Sequence, residues 1–561
     1  MLRVTASRNA KEYFAQSLKR EDYYSQGQEI SGDWHGMAAE RLGLSAAVTQ
    51  TDFDALCDNK IPGSDERLTQ RNKSNRTVGY DFSFHCPKSV SVAYEFTRDE
   101  RILDAFKLSV NQTMQEIESE IKTRVRKNGA DENRTTGNMV WAEFVHFTAR
   151  PVNGIPDPHL HAHCYTFNTT WDDMEKKWKA GQFRDLKADA PYFEAAFHAR
   201  FSRRLTELGY RIERTTKSWE LAGMPQRVLD EFSKRTEQVE QKAKELGITS
   251  AKQKDGLAAL TRERKRKDIE KSELLELWAK RISTDERLAI QNVRNAVINT
   301  PKVSEMKAMD FAIQHCYERA SIVTDKELLR HAMRFGVGDV NVDQIKRQLL
   351  RDELIKENVD GRQWLTTKDV LAEEKRLIDF VADGKGKFKP FGSGKYEFQN
   401  PKLSEEQRNA IHHVLHSPDR VTAIRGGAGT GKTTMMKEAV AAIESTGQKV
   451  FTFAPSAEAS RGVLRSDDRE QFYVSASRFK EALTIYTDDK HQLLEAVRKS
   501  SHRPSATDLV SKDISESPDE ATTKKPLPPV TQVNVRNAQK LMLAKQRSNR
   551  VRSQHRRGIK T

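Results

Sequence analysis

Apolar and polar positions alternate with period two in TVGYDFSFHCPKSVSVAYEF around Asp81 to His85, and the pattern breaks at Pro87. A strand that enters a helix at that turn is the expectation. The runs NMVWAEFVHFTAR and HLHAHCYTFNTT lie on either side of PVNGIPDP, a stretch dense in turn formers. They predict an antiparallel hairpin. Wider apolar spacings mark helices. DAFKLSVNQTMQEIESEIKTRVRK, from Asp104 to Lys127, predicts a surface helix. PYFEAAFHARFSRRLTELGY predicts one that ends at Gly209, and LAGMPQRVLDEFSKRTEQVEQKAKEL continues the helical tendency. The first part of the chain therefore reads as α+β.

Farther along, RERKRKDIEKSELLELWAKR reads as a charged helix, and residues 300–370 as a small helical connector. The Gly-rich VADGKGKFKPFGSGKYEF marks a boundary, after which LSEEQRNAIHHVL opens a new pattern. Beyond about residue 500 hydrophobicity falls, and positions 524–561 hold 11 Lys or Arg with no Asp or Glu. That composition reads as a disordered segment or basic arm. The expected organisation is residues 1–290, a connector over 291–375, a P-loop α/β unit over 395–490 and a tail over 500–561.

A chain of 561 residues requires more than one core. Its 37% hydrophobic and 31% charged residues exclude a fibrous or wholly disordered protein. Lys and Arg exceed Asp and Glu by 95 to 80, which suits a polyanionic partner. Cys57, Cys86, Cys164 and Cys316 lie far apart without a CxxC pair, so neither a disulfide framework nor a cysteine-rich zinc module is expected. MLRVTASRNAKEYF has no signal-peptide core and no window suits a membrane span, which predicts a cytoplasmic protein without stable membrane insertion.

Three kinds of chemistry stand out. First, His159, His161 and His163 alternate in PDPHLHAHCYTF, so an extended backbone puts all three on one face. The hairpin brings His146 alongside. Such a set can hold a metal with an open position, or can be packed core histidines. Asp81, on another expected strand, can orient a ligand histidine through its second ring nitrogen. Second, Tyr13, Tyr23 and Tyr24 fall within the first 24 residues. A phenol deprotonated near a metal attacks phosphorus and forms a phosphotyrosine link, with the cation on His146, His161 and His163 compensating charge. Third, GGAGTGKT, from Gly426 to Thr433, fits the phosphate-cradling GxxxxGK[ST] pattern between an apolar strand and a helix. Gly426 and Gly431 would shape the loop, Lys432 would reach terminal phosphates and Thr433 a magnesium ion, which makes ATP a candidate ligand. Gln407 is the candidate contact to the nucleotide base.

The chain resembles the relaxase domain of MobF-type conjugative relaxases, of the HUH endonuclease superfamily. The likeness is carried by KEYF, DYYSQG, GYDFSFHCPKSVS, RTTGNMVWAEFVHFTAR, DPHLHAHCYTFN, ELGY and EFSKRTEQ, over about residues 1–290. It implies a palm-like antiparallel sheet with the histidine strand central and helices packed on it. It further implies His146, His161 and His163 as metal ligands, Asp81 beside them, Tyr13 as initiating nucleophile and Tyr23 or Tyr24 as a second. His159 is an additional histidine. The implied ion is magnesium or manganese, with zinc as the choice that three histidines alone suggest.

The implied reaction is strand-specific nicking and joining of single-stranded DNA at an origin of transfer that carries a hairpin. Accessory relaxosome proteins and a type IV secretion coupling protein are the implied partners, and passage to a recipient cell with the DNA is part of the same expectation. A DNA strand there needs a basic groove, for which Arg71, Lys73, Arg76 and Lys88 are candidates. A rolling-circle initiator or transposase of the same superfamily, and an inactive DNA-binding regulator, are the alternatives. GGAGTGKT and KVFTFAPSAEASRGVL resemble the start of a superfamily 1 helicase. No second motor lobe follows, and ALTIYTDD, ending at Asp489, is a poor acidic motif. The expectation is a truncated or frameshifted motor without helicase activity.

Overall fold

The alternating segments pair into one sheet because each exposes a ladder of backbone donors and acceptors that only a neighbouring strand satisfies. In the computed structural model, residues 2–7, 11, 32–45, 47–70, 76–127, 130–216, 218–248, 253–254, 257, 269–296, 301–392, 396–425, 430–450 and 505–510 are described. Five strands, β1 (Leu2–Ser7), β2 (Asp33–His35), β3 (Gly79–His85), β4 (Trp141–Thr148) and β5 (Pro158–Phe167), lie in the order β1-β3-β5-β4-β2. Every pairing is antiparallel. The histidine strand β5 is central, as the resemblance implied.

Period two gives the sheet two apolar faces. On one, Phe53 of α1 (Gln50–Cys57) inserts among Trp34, Phe144, Tyr165 and Phe167, with ring centroids 5.1 to 6.4 Å away. That small core covers only part of the face. On the other, Phe82, Phe84, Val145, Phe147, Leu160 and Ala162 join the core of α2 (Lys88–Thr97), α3 (Glu100–Ser119) and α4 (Ala190–Glu207). Helix α4 stops as expected, with Gly209 at φ +97° just beyond it.

The β4–β5 hairpin forms as predicted. Asn153 and Gly154 have φ of 55° and 79°, and Val152 bridges Ile155 across them. A tight turn of that hand matches the twist of the strands it joins. The helix expected over Asp104–Lys127 instead spans Glu100–Ser119, and Lys122–Lys127 is a strand of a separate hairpin. Ile121, Thr123 and Val125 point inward while Arg124 and Arg126 are exposed, a period-two signal inside a segment that otherwise looks helical.

The 300–370 connector is not all helical. After α5 (Lys271–Ala279) come α6 (Glu305–Tyr317), β6 (Val323–Thr324), α7 (Asp325–Phe335), α8 (Val342–Arg347), β7 (Leu354–Val359) and β8 (Arg362–Thr367). Their strands form a second sheet in the order β6-β8-β7. Leu328, Leu329, Met333, Ile345 and Leu365 belong to the same apolar core as the helix side of the large sheet. The tail expected over 500–561 is not irregular throughout, since Ala506–Val510 is a short helix whose Thr507 donates from N and Oγ1 to Glu374 Oε2 at 3.1 and 2.9 Å; the rest of it beyond Val510 lies outside the described residues. No described helix is long and apolar enough to cross a membrane.

Glu143 sits on the helix side of β4, 4% exposed, across from Asp33 and Cys164. Burial pushes its carboxyl up to about 7 from an ordinary 4.5, with Lys107 opposing the shift. A carboxyl raised on folding adds stability that is fully present below its unfolded pKa and is lost as pH rises through the folded value. Glu143→Gln should remove about 3 kcal/mol of the stability lost between pH 5 and pH 8.5. Urea melts of both proteins at the two pH values test this, and parallel pH dependences would contradict it.

Candidate metal centre

Register assembles this site. His161 of β5 lies between His85 of β3 and His146 of β4, and His163, two residues on, between Ser83 and Phe144. All these side chains share the face that α1 only partly covers. The ring centroids of His146, His161 and His163 form a triangle with every side 5.2 Å. One ring nitrogen from each lies within 4.8 Å of the others. His146 and His161 are 4% and 8% exposed, and the His163 side chain 12%. The β4–β5 register shifts between His146 and Thr148, so a bulge lies beside His146, where such irregularities re-aim a side chain.

Two of the three rings have their orientation fixed by oxygen acceptors. His163 Nδ1 donates to Asp81 Oδ2 at 2.8 Å, and His161 Nδ1 donates to the His159 carbonyl at 2.8 Å. Ser83 Oγ donates to the same Asp81 oxygen at 3.0 Å. A neutral imidazole with its proton on Nδ1 keeps its lone pair on Nε2, the arrangement a metal ligand needs. Three nitrogen donors of this kind fit a divalent ion with a position left open.

The sequence reading missed His85 and Ser83. Their signal was available, since both follow Asp81 at even spacing on the same strand. His85 Nδ1 lies 2.9 Å from His159 Nε2, and the His85 ring stacks on His161 with centroids 5.4 Å apart. Burial, and then the neighbouring His161, hold both His85 and His159 well below the usual imidazole range. These two rings are therefore neutral near pH 7. Arg3 of β1, opposite Ser83 on the same face, was also not singled out.

Downstream helices hold the start of β5. Trp278 Nε1 donates to the Pro156 carbonyl at 2.8 Å, and Arg281 pairs with Asp157 at 2.9 Å. Lys88, expected in a DNA groove, instead donates to the Pro158 carbonyl at 2.7 Å, and burial lowers its pKa. Arg76, its companion in that expectation, bonds to the Cys57 carbonyl at the end of α1. Both cations brace the fold. Tyr13, Tyr23, Tyr24, Arg71, Lys73, Gly426 and Asp489 lie outside the described residues.

At the glycine-rich motif, α9 (Glu405–His416) packs on α10 (Lys432–Glu444) through Ala410, Ile411, Leu415, Met435 and Ala439. Gly431 has φ +73° and leads into Lys432 and Thr433 at the helix start. The Gln407 amide is engaged on both sides. Its Oε1 accepts from Ser404 N at 3.0 Å, and its Nε2 donates to the Thr430 carbonyl at 2.9 Å. Both bonds tie Gln407 between its own helix start and the residue before Gly431. Residues 421–425 belong to no strand among the described residues, and most of KVFTFAPSAEASRGVL, the next expected strand, lies outside them.

The TrwC relaxase family profile matches residues 7–284, and an AAA domain profile matches residues 402–510. The multifunctional conjugation protein TraI of Escherichia coli is 31% identical over 256 residues, 44% of this chain and 14% of that protein. A probable conjugal transfer protein TraA of Sinorhizobium fredii is 43% identical over 65 residues, 12% of this chain and 6% of its own length. The chain thus spans only a small part of these relatives. A copper-bound structure of the conjugative relaxase TrwC with oriT DNA is 27% identical, with a TM-score of 0.46, covering 50% of this chain and 97% of that one.

If the three imidazoles form one site, His161→Ala or His163→Ala should abolish tight binding of manganese or zinc. Asp81→Asn keeps the donors and loses only the orienting acceptor, so it should weaken binding by about 10–100-fold. Calorimetric titration of the metal-stripped protein reads both effects. Undiminished affinity in all three variants would refute the site.

Proposed function

We propose, on the premise that residues 7–284 carry a relaxase domain of the TrwC family, that this chain is a metal-dependent nicking and joining enzyme for single-stranded DNA. The observation that carries this reading is the cluster of His146, His161 and His163, with Asp81 bonded to His163, on the central strands of the sheet. His146, His161 and His163 would hold a divalent ion, which when bound would supply charge compensation to a scissile phosphate.

In this reading the chain's own residues do the rest. Asp81 and the His159 carbonyl keep the His163 and His161 rings turned so that Nε2 faces the phosphate-binding side. His85 and His159 stay neutral and add no charge that would repel a cation. Tyr13 Oη attacks the scissile phosphorus, the 3′ oxygen leaves as a hydroxyl, and the 5′ phosphate stays on the tyrosine. The phosphodiester bond is exchanged rather than hydrolysed, so a free 3′ hydroxyl can reverse the step. Tyr23 or Tyr24 serves a second transfer. The biological setting is the start of conjugative plasmid transfer, with origin DNA as substrate and the relaxosome as assembly. GGAGTGKT is read as a nucleotide-binding loop, in keeping with the AAA domain profile over residues 402–510.

The experiment is incubation with single-stranded origin oligonucleotides and manganese, followed by denaturing electrophoresis. A covalent protein–DNA adduct is expected from the parent. Tyr13→Phe should form none while retaining noncovalent DNA binding, because it loses the nucleophilic oxygen and keeps the aromatic ring. Full adduct formation by that variant would overturn the assignment of Tyr13. Absence of any adduct from the parent with metal, across origin sequences it binds, would overturn the nicking reading.

A further inference from the structure

Residues 305–367 run helix, strand, helix, helix, strand, strand, as α6-β6-α7-α8-β7-β8, with sheet order β6-β8-β7. That succession is a winged helix-turn-helix. The pair α7–α8 supplies the helix-turn-helix, and the β7–β8 hairpin supplies the wing, closed at Asp360 and Gly361 with φ of 54° and 73°. In modules of this kind the second helix of the pair enters the major groove, while the first helix lies along the phosphate backbone.

Each of the three elements that would meet a duplex carries a cation, and each cation is paired with one acidic patch on the preceding domain. Lys326, at the start of α7, pairs with Glu120 and, at 2.8 Å, with Asp189. Lys346 of α8 pairs with Glu116 at 2.7 Å. Arg362 of the wing lies 3.6 Å from Asp189 and 3.9 Å from Asp185. The α7–α8 turn is seated as well, with Gly338 N donating to Ser202 Oγ at 2.9 Å and Thr206 Oγ1 donating to the Gly338 carbonyl at 3.0 Å. Four carboxylates thus neutralise the cations of all three elements, and one of them, Glu116, is also held by Arg200 at 2.5 Å.

We propose that residues 305–367 are a duplex-DNA-binding module in which Gln344 and Arg347 of α8 stay exposed while Lys326, Lys346 and Arg362 are held by Glu116, Glu120, Asp185 and Asp189. The phosphate backbone of duplex DNA competes with that patch for Lys326, Lys346 and Arg362, and Arg347, exposed on α8, is positioned to join them. This site is separate from the histidine centre and does not depend on the nicking reading. It would let one chain hold duplex DNA while single-stranded DNA occupies the sheet.

The test uses the full chain with a chelator present and a short fluorescent duplex of arbitrary sequence. Glu120→Gln with Asp185→Asn, both partly exposed, removes competing charge without emptying the core. That variant should bind duplex about fivefold more tightly or better, with the slope of log affinity against log salt steeper by about 1–2. Adding Lys326→Ala and Arg362→Ala should return affinity and slope to parental values. The proposal fails if the carboxylate variant, folded by circular dichroism, keeps parental affinity and slope. It fails equally if the gain survives removal of the two cations or appears on single strands alone.

Discussion

The histidine site depends on strand register. Three strands must align so that His85, His161 and His146 form one row, with Ser83 and His163 in the next. Because side chains alternate, a slip of one residue would turn His161 and His163 into the helix-side core and bring Ala162 and Cys164 to the open face. The apolar residues between the histidines prevent this. Phe82, Phe84, Leu160 and Ala162 are each essentially buried on the helix side, and their hydrophobic burial holds the polar row in place. The core and the histidine cluster are two faces of one pairing.

Second contacts then refine what register sets coarsely. The Asp81 carboxylate and the His159 carbonyl fix two rings, and Ser83 fixes the carboxylate. A long-range clamp adds to this, since Trp278 and Arg281 hold the loop before the histidine strand. The residues that support the site are thus spread over some two hundred positions of chain, while the donors themselves come from two adjacent strands.

Much of this was legible in the sequence, for local reasons. Alternation exposed the strand around Asp81 and both hairpin arms, and the Asn153–Gly154 turn announced their connection. Period two and the hairpin brought His146, His159, His161 and His163 together, and the resemblance implied His146, His161 and His163 as the ligands among them. What escaped depended on distant partners. Lys88 and Arg76 looked like free surface cations, but their bonds to the Pro158 and Cys57 carbonyls are set by packing. Short strands such as Val323–Thr324 carry too few residues for a pattern, so the second sheet was hidden among helices. His85 follows Asp81 at even spacing on one strand, so its place on the histidine face was readable from alternation alone.

The clamp on the histidine strand also has a consequence in time. Trp278 follows Pro156 by 122 residues, and Arg281 follows Asp157 by 124. During synthesis the strands of the site emerge first, but the helix that steadies their loop is still untranslated. At about 5–20 residues per second, roughly 6–25 s separate the two events. A nascent chain therefore carries its histidines before it carries the brace that steadies them. The delay separates the moment when the chemistry is encoded from the moment when it is held in its final geometry.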